Sequence, residues 1–213
     1  MAFGEQQWNN LLPSYLTNEA KGRLQEALEQ FYPANRTEIS YDDFYKDYGY
    51  EYFMQGDILK EIRSAHWDKD NASYQKSYPD ALVLTNTCDI SFENNRNINP
   101  KQCLFAPLLK LDDYLEDLKN AGYTDQKINN FKKNLIAQTY SNLFYLPKTG
   151  VGTAERIVLF DRIFWYPIEE LKPLLPTINE EREISLTQYG FYLLVLKLSY
   201  HFCRLPEQCD REA

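Results

Sequence analysis

The sequence predicts an α+β domain in which a small, bent antiparallel sheet is covered by helices and followed by a long C-terminal helix. Three observations support this fold class. Short apolar runs bounded by polar or glycine-containing turns occupy the middle of the chain, as expected for strands. Amphipathic stretches with helical spacing lie before and between these runs. The last part of the chain contains a strongly apolar segment preceded by residues with capping-box spacing.

The composition fits one folded domain. The chain has 213 residues, of which 44% are hydrophobic and 25% charged, and this excludes a disordered, collagenous or coiled-coil protein. No repeat, low-complexity tract or linker divides it, so we predict a single domain over residues 1–213. Its parts are a helical and tyrosine-rich N-terminal cover (1–52), a barrel core (53–166) with inserted helices (112–138), and a C-terminal helix (185–205).

The N-terminal cover contains two patterns. Residues 17–31 predict an amphipathic helix, because apolar side chains recur at helical spacing and Tyr32-Pro33 ends the pattern. The tyrosine-rich stretch 41–53 predicts a short helix and loop whose rings pack over one edge of the core. The alternative is a surface on which nucleobases stack, but acidic residues are interleaved where basic ones would be expected.

Five segments are predicted as strands because they are short, apolar and bounded by turn residues. The last of them has apolar residues at both odd and even positions, which predicts a strand covered on both faces. The polar stretches 63–80 and 91–102 are predicted as loops. The predicted strands are 53–62, 81–90, 103–109, 143–147 and 155–166.

Helices are predicted at three further places. Residues 112–121 and 124–138 form a broken pair, with Thr124 as the N-cap of the second helix. Ser185 and Gln188 have capping-box spacing and are predicted to begin the C-terminal helix.

Charge and composition exclude several classes of protein. The net charge of −8 opposes binding of a polyanion over the whole surface. Eight glycines without a phosphate-loop pattern disfavour nucleotide binding. The sequence contains neither an apolar run of membrane-spanning length nor a signal peptide at its N-terminus, so we expect a cytoplasmic protein without a membrane segment. We predict neither a metal centre nor a cofactor.

The best candidate site follows the buried strand Ala81–Leu84, where small polar and ionisable residues meet the rim of the core. Asp57, which follows Gly56, is expected at the same rim if the two strands pair. Cys88 could act as a nucleophile with His66 as its base, and Asp57 and Asp89 could bind a cation or act as acid and base. The alternative is a structural turn. The predicted binding residues are Asp57, Thr85, Asn86, Cys88, Asp89, Arg63 and Arg96.

Three successive segments, Gly56–Leu59, Ala81–Asn86 and Cys103–Leu108, resemble the opening of MazF/PemK-like toxins. The resemblance covers about residues 55–110, and it implies an SH3-like barrel and metal-independent cleavage of single-stranded RNA. Where that family has an Arg-Pro pair before the second strand, this chain has Tyr78-Pro79, without the arginine. The basic residues clustered in the two polar stretches, which RNA binding would require, are Arg63, Lys69, Lys76, Arg96 and Lys101.

The chain also resembles uncharacterised bacterial and phage proteins. The shared elements are Gly56-Asp57-Ile58, Cys88-Asp89, Tyr145-Leu146-Pro147 and Arg204 near the end of the C-terminal helix. We therefore expect a non-enzymatic binding or accessory protein of a bacterial defence or mobile-element system, with a protein partner encoded nearby. The alternative is a divergent endoribonuclease of the toxin kind, which would bind RNA. The sequence leaves the oligomeric state open.

Overall fold

A computed structural model describes residues 17–19, 21, 22, 39, 41–93, 102–148, 150 and 154–203. These residues confirm the predicted fold class, because they form a strongly curled antiparallel half-barrel sheet covered by helices, with a long C-terminal helix. Of the predicted helix 17–31, only residues 18, 19, 21 and 22 are described as helical, and most of it lies outside the described residues.

The strands and helices alternate irregularly along the chain. The strands are β1 (Tyr45–Lys46), β2 (Asp57–Leu59), β3 (Ser64–Asp68), β4 (Ser73–Ser77), β5 (Ala81–Val83), β6 (Gln102–Lys110), β7 (Leu143–Leu146), β8 (Arg156–Leu159), β9 (Phe164–Pro167) and β10 (Arg182–Leu186). The helices are α1 (Thr87–Ile90), α2 (Leu111–Asn120), α3 (Asp125–Ile136), α4 (Ile178–Glu181) and α5 (Gln188–Cys203).

The main sheet has eight strands, in the order β1-β10-β2-β5-β6-β8-β7, with β9 also paired to β6. Strand β6 is nine residues long and pairs with β5 on one side and with both β8 and β9 on the other. Every pairing in this sheet is antiparallel. The predicted single strand 155–166 is therefore wrong, because a 3₁₀ turn at Phe160–Arg162 divides it into β8 and β9. Phe160 is buried against Phe144 at this turn, a packing contact that alternation alone does not reveal.

One face of the sheet packs on α5. Alternate residues of neighbouring strands, such as Ile58, Leu82 and Ala106, contribute to this core cluster, and α5 contributes Leu193 and Leu194. All five side chains are fully buried. Because side chains alternate between the two faces of a strand, the intervening residues of the same strands face the opposite side.

The opposite face carries two smaller core clusters. The first is covered by α1, by the 3₁₀ helix Ile168–Thr177 and by α4. The second is covered by α2 and α3, whose Leu111 and Leu135 are fully buried against β7 and β8. The sheet is therefore covered on both faces, and this explains its continuous apolar runs.

Four local predictions are wrong. Residues 63–80, predicted as a loop, contain the hairpin β3–β4. The segment 41–53 forms a turn, the two-residue strand β1 and irregular chain, without the predicted short helix. The predicted strand 81–90 ends at Val83, and α1 follows it. Ser185 lies in β10, and the side chain of Thr187 caps α5 by accepting a hydrogen bond from the N–H of Gly190 (3.3 Å).

Three of these errors have a cause that the structure shows. Both faces of the hairpin are largely exposed and most of its residues are polar, so its two strands give only a weak hydrophobic signal. Within the segment 41–53, Tyr45 and Lys46 form a strand because they pair with β10, a contact between distant parts of the chain. Asn86 accepts a hydrogen bond from the N–H of Cys88 (2.9 Å) and thereby starts α1.

Residues 94–101 of the second predicted loop lie outside the described residues. In the part of the chain that is described, no helix combines the length and the apolar character needed to cross a membrane.

Candidate functional site

Asp57 is completely buried at the start of β2. Its carboxylate accepts hydrogen bonds from Arg182 Nε (2.9 Å), from Ser185 Oγ (2.6 Å) and from the backbone N–H of Met54 (2.8 Å). Burial raises the pKa of Asp57, whereas the Ser185 hydroxyl and the Arg182 guanidinium act in the opposite direction. A side chain enclosed in this way holds segments of the fold together and has no access to a substrate.

The polar residues after β5 bond mainly to backbone groups. Thr85 Oγ1 accepts the N–H of Leu104 (2.6 Å), and Thr87 Oγ1 accepts the N–H of Gln55 (3.0 Å). Gln55 also donates its side-chain amide to the carbonyl of Leu84 (2.7 Å). These contacts are those of the structural turn that the sequence left open.

The ionisable residues of α1 differ in exposure. Cys88 is exposed and Asp89 is half-buried. Strands β2 and β5 pair, as the prediction of the site required, with Ile58 opposite Leu82. Because the pairing is antiparallel, the start of β2 and the end of β5 lie at the same end of the sheet. The carboxylate of Asp57, however, bonds to residues of β10.

The remaining predicted residues lie elsewhere. His66 is exposed on β3, where it is opposite Gln75 of β4. Arg63 precedes the same strand and forms an exposed ion pair with Glu170 (3.2 Å). Arg96 lies outside the described residues. Among the described residues, no three His, Cys, Asp or Glu side chains are grouped so that they could hold a metal ion.

Sequence analysis missed a set of buried charged side chains. Arg182 is nearly completely buried, and Arg156 forms a two-pronged ion pair with Glu183 at 2.5 and 2.7 Å. Lys197 of α5 is also buried, and its ammonium donates to the backbone carbonyl of Gln138. No local pattern marks these residues, because their partners are distant in the sequence.

The hairpin β3–β4 and strand β9 form the two walls of a surface groove with a volume of about 450 Å³. The β9 wall consists of Phe164, Trp165, Tyr166 and Pro167. The hairpin wall consists of Arg63, Ser64, Ala65, Tyr74 and Lys76. Grooves of this size with aromatic linings are typical ligand sites.

The hairpin is stabilised by polar and aromatic contacts. Ser64 and Ser77 share a hydrogen bond between their hydroxyl groups (2.7 Å), and Trp67 packs edge-on against Tyr74 across the strands (5.2 Å). Asp68 accepts hydrogen bonds from the backbone of Asp70 and Asn71 and so closes the turn. The hairpin therefore holds its shape although both its faces are largely exposed.

Large aromatic side chains at this groove face solvent. Tyr74 is 72% exposed and Trp165 60%. Among the described residues, the charged ones that line the groove are Arg63 and Lys76. Glu170 pairs with Arg63, so Lys76 supplies the uncompensated positive charge of the lining, although the whole chain has a net charge of −8. Sequence analysis had named these two basic residues, but it assigned β9 to a strand covered on both faces.

The fold and the groove together define an α+β half-barrel protein with an aromatic-lined, locally positive surface groove. Comparisons with protein-family models, with curated proteins and with solved structures found no match for the chain. The resemblance to MazF/PemK-like toxins therefore stays a prediction.

Proposed function

We propose that this protein is a non-enzymatic binding protein that holds a protein partner in the groove between the β3–β4 hairpin and β9. The observation that carries this proposal is the exposure of Tyr74 and Trp165 on opposite walls of one groove. Exposed aromatic side chains are costly to leave in water, and they supply much of the energy of protein interfaces when they become buried.

Two of the four residues considered for catalysis, Asp57 and His66, favour a binding role over a catalytic one. Asp57 is used in a buried ion pair, and His66 lies on the exposed hairpin, opposite Gln75. An accessory role in a bacterial defence or mobile-element system is the biological setting that we propose for this binding.

The alternative function is a divergent, metal-independent endoribonuclease. Aromatic faces beside Arg63 and Lys76 favour it, since single-stranded nucleic acids bind to such combinations. Glu170 opposes it, because its carboxylate already pairs with Arg63 and would repel a phosphate. The net charge of −8 opposes it as well.

Selection from a random peptide library displayed on phage tests the proposal. We expect the wild-type protein to enrich a set of related peptides, and the Trp165→Ala and Tyr74→Ala variants to lose them. Tyr200→Ala is the matched control, because Tyr200 is 60% exposed on α5 and does not line the groove. Enrichment that survives both groove substitutions would contradict the assignment of the groove.

A second experiment separates the two functions. The purified protein is incubated with mixed RNA, with and without EDTA, and the RNA is examined by gel electrophoresis. We expect intact RNA in both samples. Cleavage that persists in EDTA and is lost in Arg63→Ala would replace the proposed binding function by the ribonuclease alternative.

A further inference from the structure

Strand β9 presents an unpaired edge within the described part of the chain, where it pairs only with β6. The direction in which the backbone groups of β9 point follows from its partner strand β6. Leu104 of β6 donates its N–H to Thr85, and its carbonyl accepts the N–H of Leu84. Both backbone groups of Leu104 therefore point to β5.

Backbone groups alternate in direction along a strand, so those of Cys103 and Phe105 point to β9, where they lie opposite Tyr166 and Phe164. The N–H and C=O of Trp165, between these two partners, then point away from β6, and Trp165 is also one of the residues that line the groove. An unpaired edge of this kind is a template for an additional strand.

The charge of the groove limits what can occupy it. Within the described part of the chain, the charged residues that line the groove are Arg63 and Lys76, and no carboxylate pairs with Lys76. A partner segment that carries carboxylates complements this lining. Lys76 lies on the same side of the hairpin as Tyr74, two residues away on β4, so it can reach a segment that contacts the aromatic wall.

We infer that the groove binds an extended, acidic segment of a partner protein, which adds to the edge of β9 as a further strand. The inference rests on the proposed function and specifies how the partner binds. The backbone of the segment pairs with the N–H and C=O of Trp165, and alternate side chains contact the aromatic rings. Its carboxylates pair with Lys76, since Arg63 is already paired with Glu170.

The strand edge favours a peptide over RNA as the occupant. Trp165 presents a donor and an acceptor side by side, and a peptide backbone satisfies both. A phosphate only accepts hydrogen bonds, and the carbonyl oxygen of Trp165 repels it. The edge of β9 therefore favours an acidic peptide over RNA. The aromatic rings and the positive charges by themselves would not distinguish these two ligands.

The test uses the full-length, ¹⁵N-labelled protein and an acetylated, amidated peptide of about eight residues in which valine and glutamate alternate. We expect the amide of Trp165 to shift in the NMR spectrum and its hydrogen exchange to slow about tenfold or more when the peptide binds. A peptide with glutamine in place of glutamate should bind about fivefold more weakly.

Two sets of controls identify the contacts. Lys76→Gln should remove most of the difference between the two peptides, whereas Lys69→Gln, at the exposed turn of the same hairpin, should preserve it. Alternate N–H groups of a bound strand point to opposite sides, so only every second one can pair with β9. Methylating the nitrogens of this set should abolish binding. Methylating the other set should leave binding unchanged.

The outcomes separate this inference from the proposed function. Two results would overturn strand addition but leave the binding function intact. In the first, the peptide binds in the groove without slowing hydrogen exchange at the Trp165 amide. In the second, methylation of either set of peptide nitrogens has the same effect on binding. If neither these peptides nor any library peptide binds, both proposals fail. Binding of an oligouridine instead of the peptides would favour the ribonuclease alternative.

Discussion

The carboxylate of Asp57 and the guanidinium of Arg182 form a buried ion pair, with 2.9 Å between Asp57 Oδ2 and Arg182 Nε. The two residues are 125 positions apart and begin neighbouring strands, β2 and β10. The other nitrogens of Arg182 donate to the backbone carbonyls of Tyr50 and Tyr52. One guanidinium thus fastens the tyrosine-rich segment to the sheet.

Removing this guanidinium should strongly destabilise the fold. We expect Arg182→Ala to lower the free energy of unfolding by about 3–5 kcal/mol, because Asp57 would remain as a buried charge without its partner. Urea denaturation followed by circular dichroism measures the loss. Arg162→Ala, at an exposed arginine, is the control and should change the stability by less than about 0.5 kcal/mol. A similar small change for Arg182→Ala would contradict the structural role.

Glu155 should contribute to stability only when it is ionised. Partial burial opposes its ionisation, but the Lys132 ammonium (2.8 Å) and the Tyr145 hydroxyl donate to it and hold its pKa below the ordinary glutamate value. The stabilisation is therefore present above the pKa of glutamate in the unfolded chain, and it is lost as the pH falls through the lower pKa of the folded state.

Glu155→Gln tests this pH dependence. At pH 7 the substitution should lower the free energy of unfolding by about 1–2 kcal/mol, and the deficit should shrink below about pH 4. Urea denaturation at a series of pH values measures both. Glu116→Gln, on the exposed side of α2, should show no such trend. A deficit that is constant with pH would show that charge is not involved.

The two cysteines of the sheet core and of α1 should differ in reactivity. Cys88 is exposed, whereas Cys103 is buried and burial raises the pKa of its thiol to about 11. Iodoacetamide reacts with the accessible thiolate, so it should alkylate Cys88 in the folded protein and Cys103 only after denaturation. Peptide mass spectrometry distinguishes the two sites. Equal labelling of both in the folded state would contradict the burial of Cys103.

Gly190 should not tolerate a side chain. A Cβ atom at this position would lie 2.8 Å from the carbonyl oxygen of Phe44, where the first turn of α5 crosses the N-terminal segment. We expect Gly190→Ala to cost about 1–3 kcal/mol, which calorimetry would record as a lower melting temperature. Gly150→Ala is the control, because open space surrounds that position. Equal melting temperatures for the two variants would contradict the close approach.

The candidate site was only partly predictable from the sequence. The polar run Thr85–Asp89 was correctly placed after a buried strand, but its threonines accept backbone hydrogen bonds. Arg63 and Lys76 were identified as clustered basic residues, since they are close in the sequence. Trp165 could not be assigned to a groove, because its exposure depends on the hairpin and on the turn that separates β8 from β9.

The sequence by itself determined the α+β class, the apolar strands β5, β6 and β7, and the helices α2, α3 and α5, but not β10, α4 or the 3₁₀ helix Ile168–Thr177. Apolar side chains must leave water, and their spacing shows which local structure lets them do so together. Only the tertiary structure decided that Asp57 pairs with Arg182, that Lys197 is buried and that the polar hairpin faces β9. These contacts join residues far apart in the chain, and no local periodicity records such distant pairings.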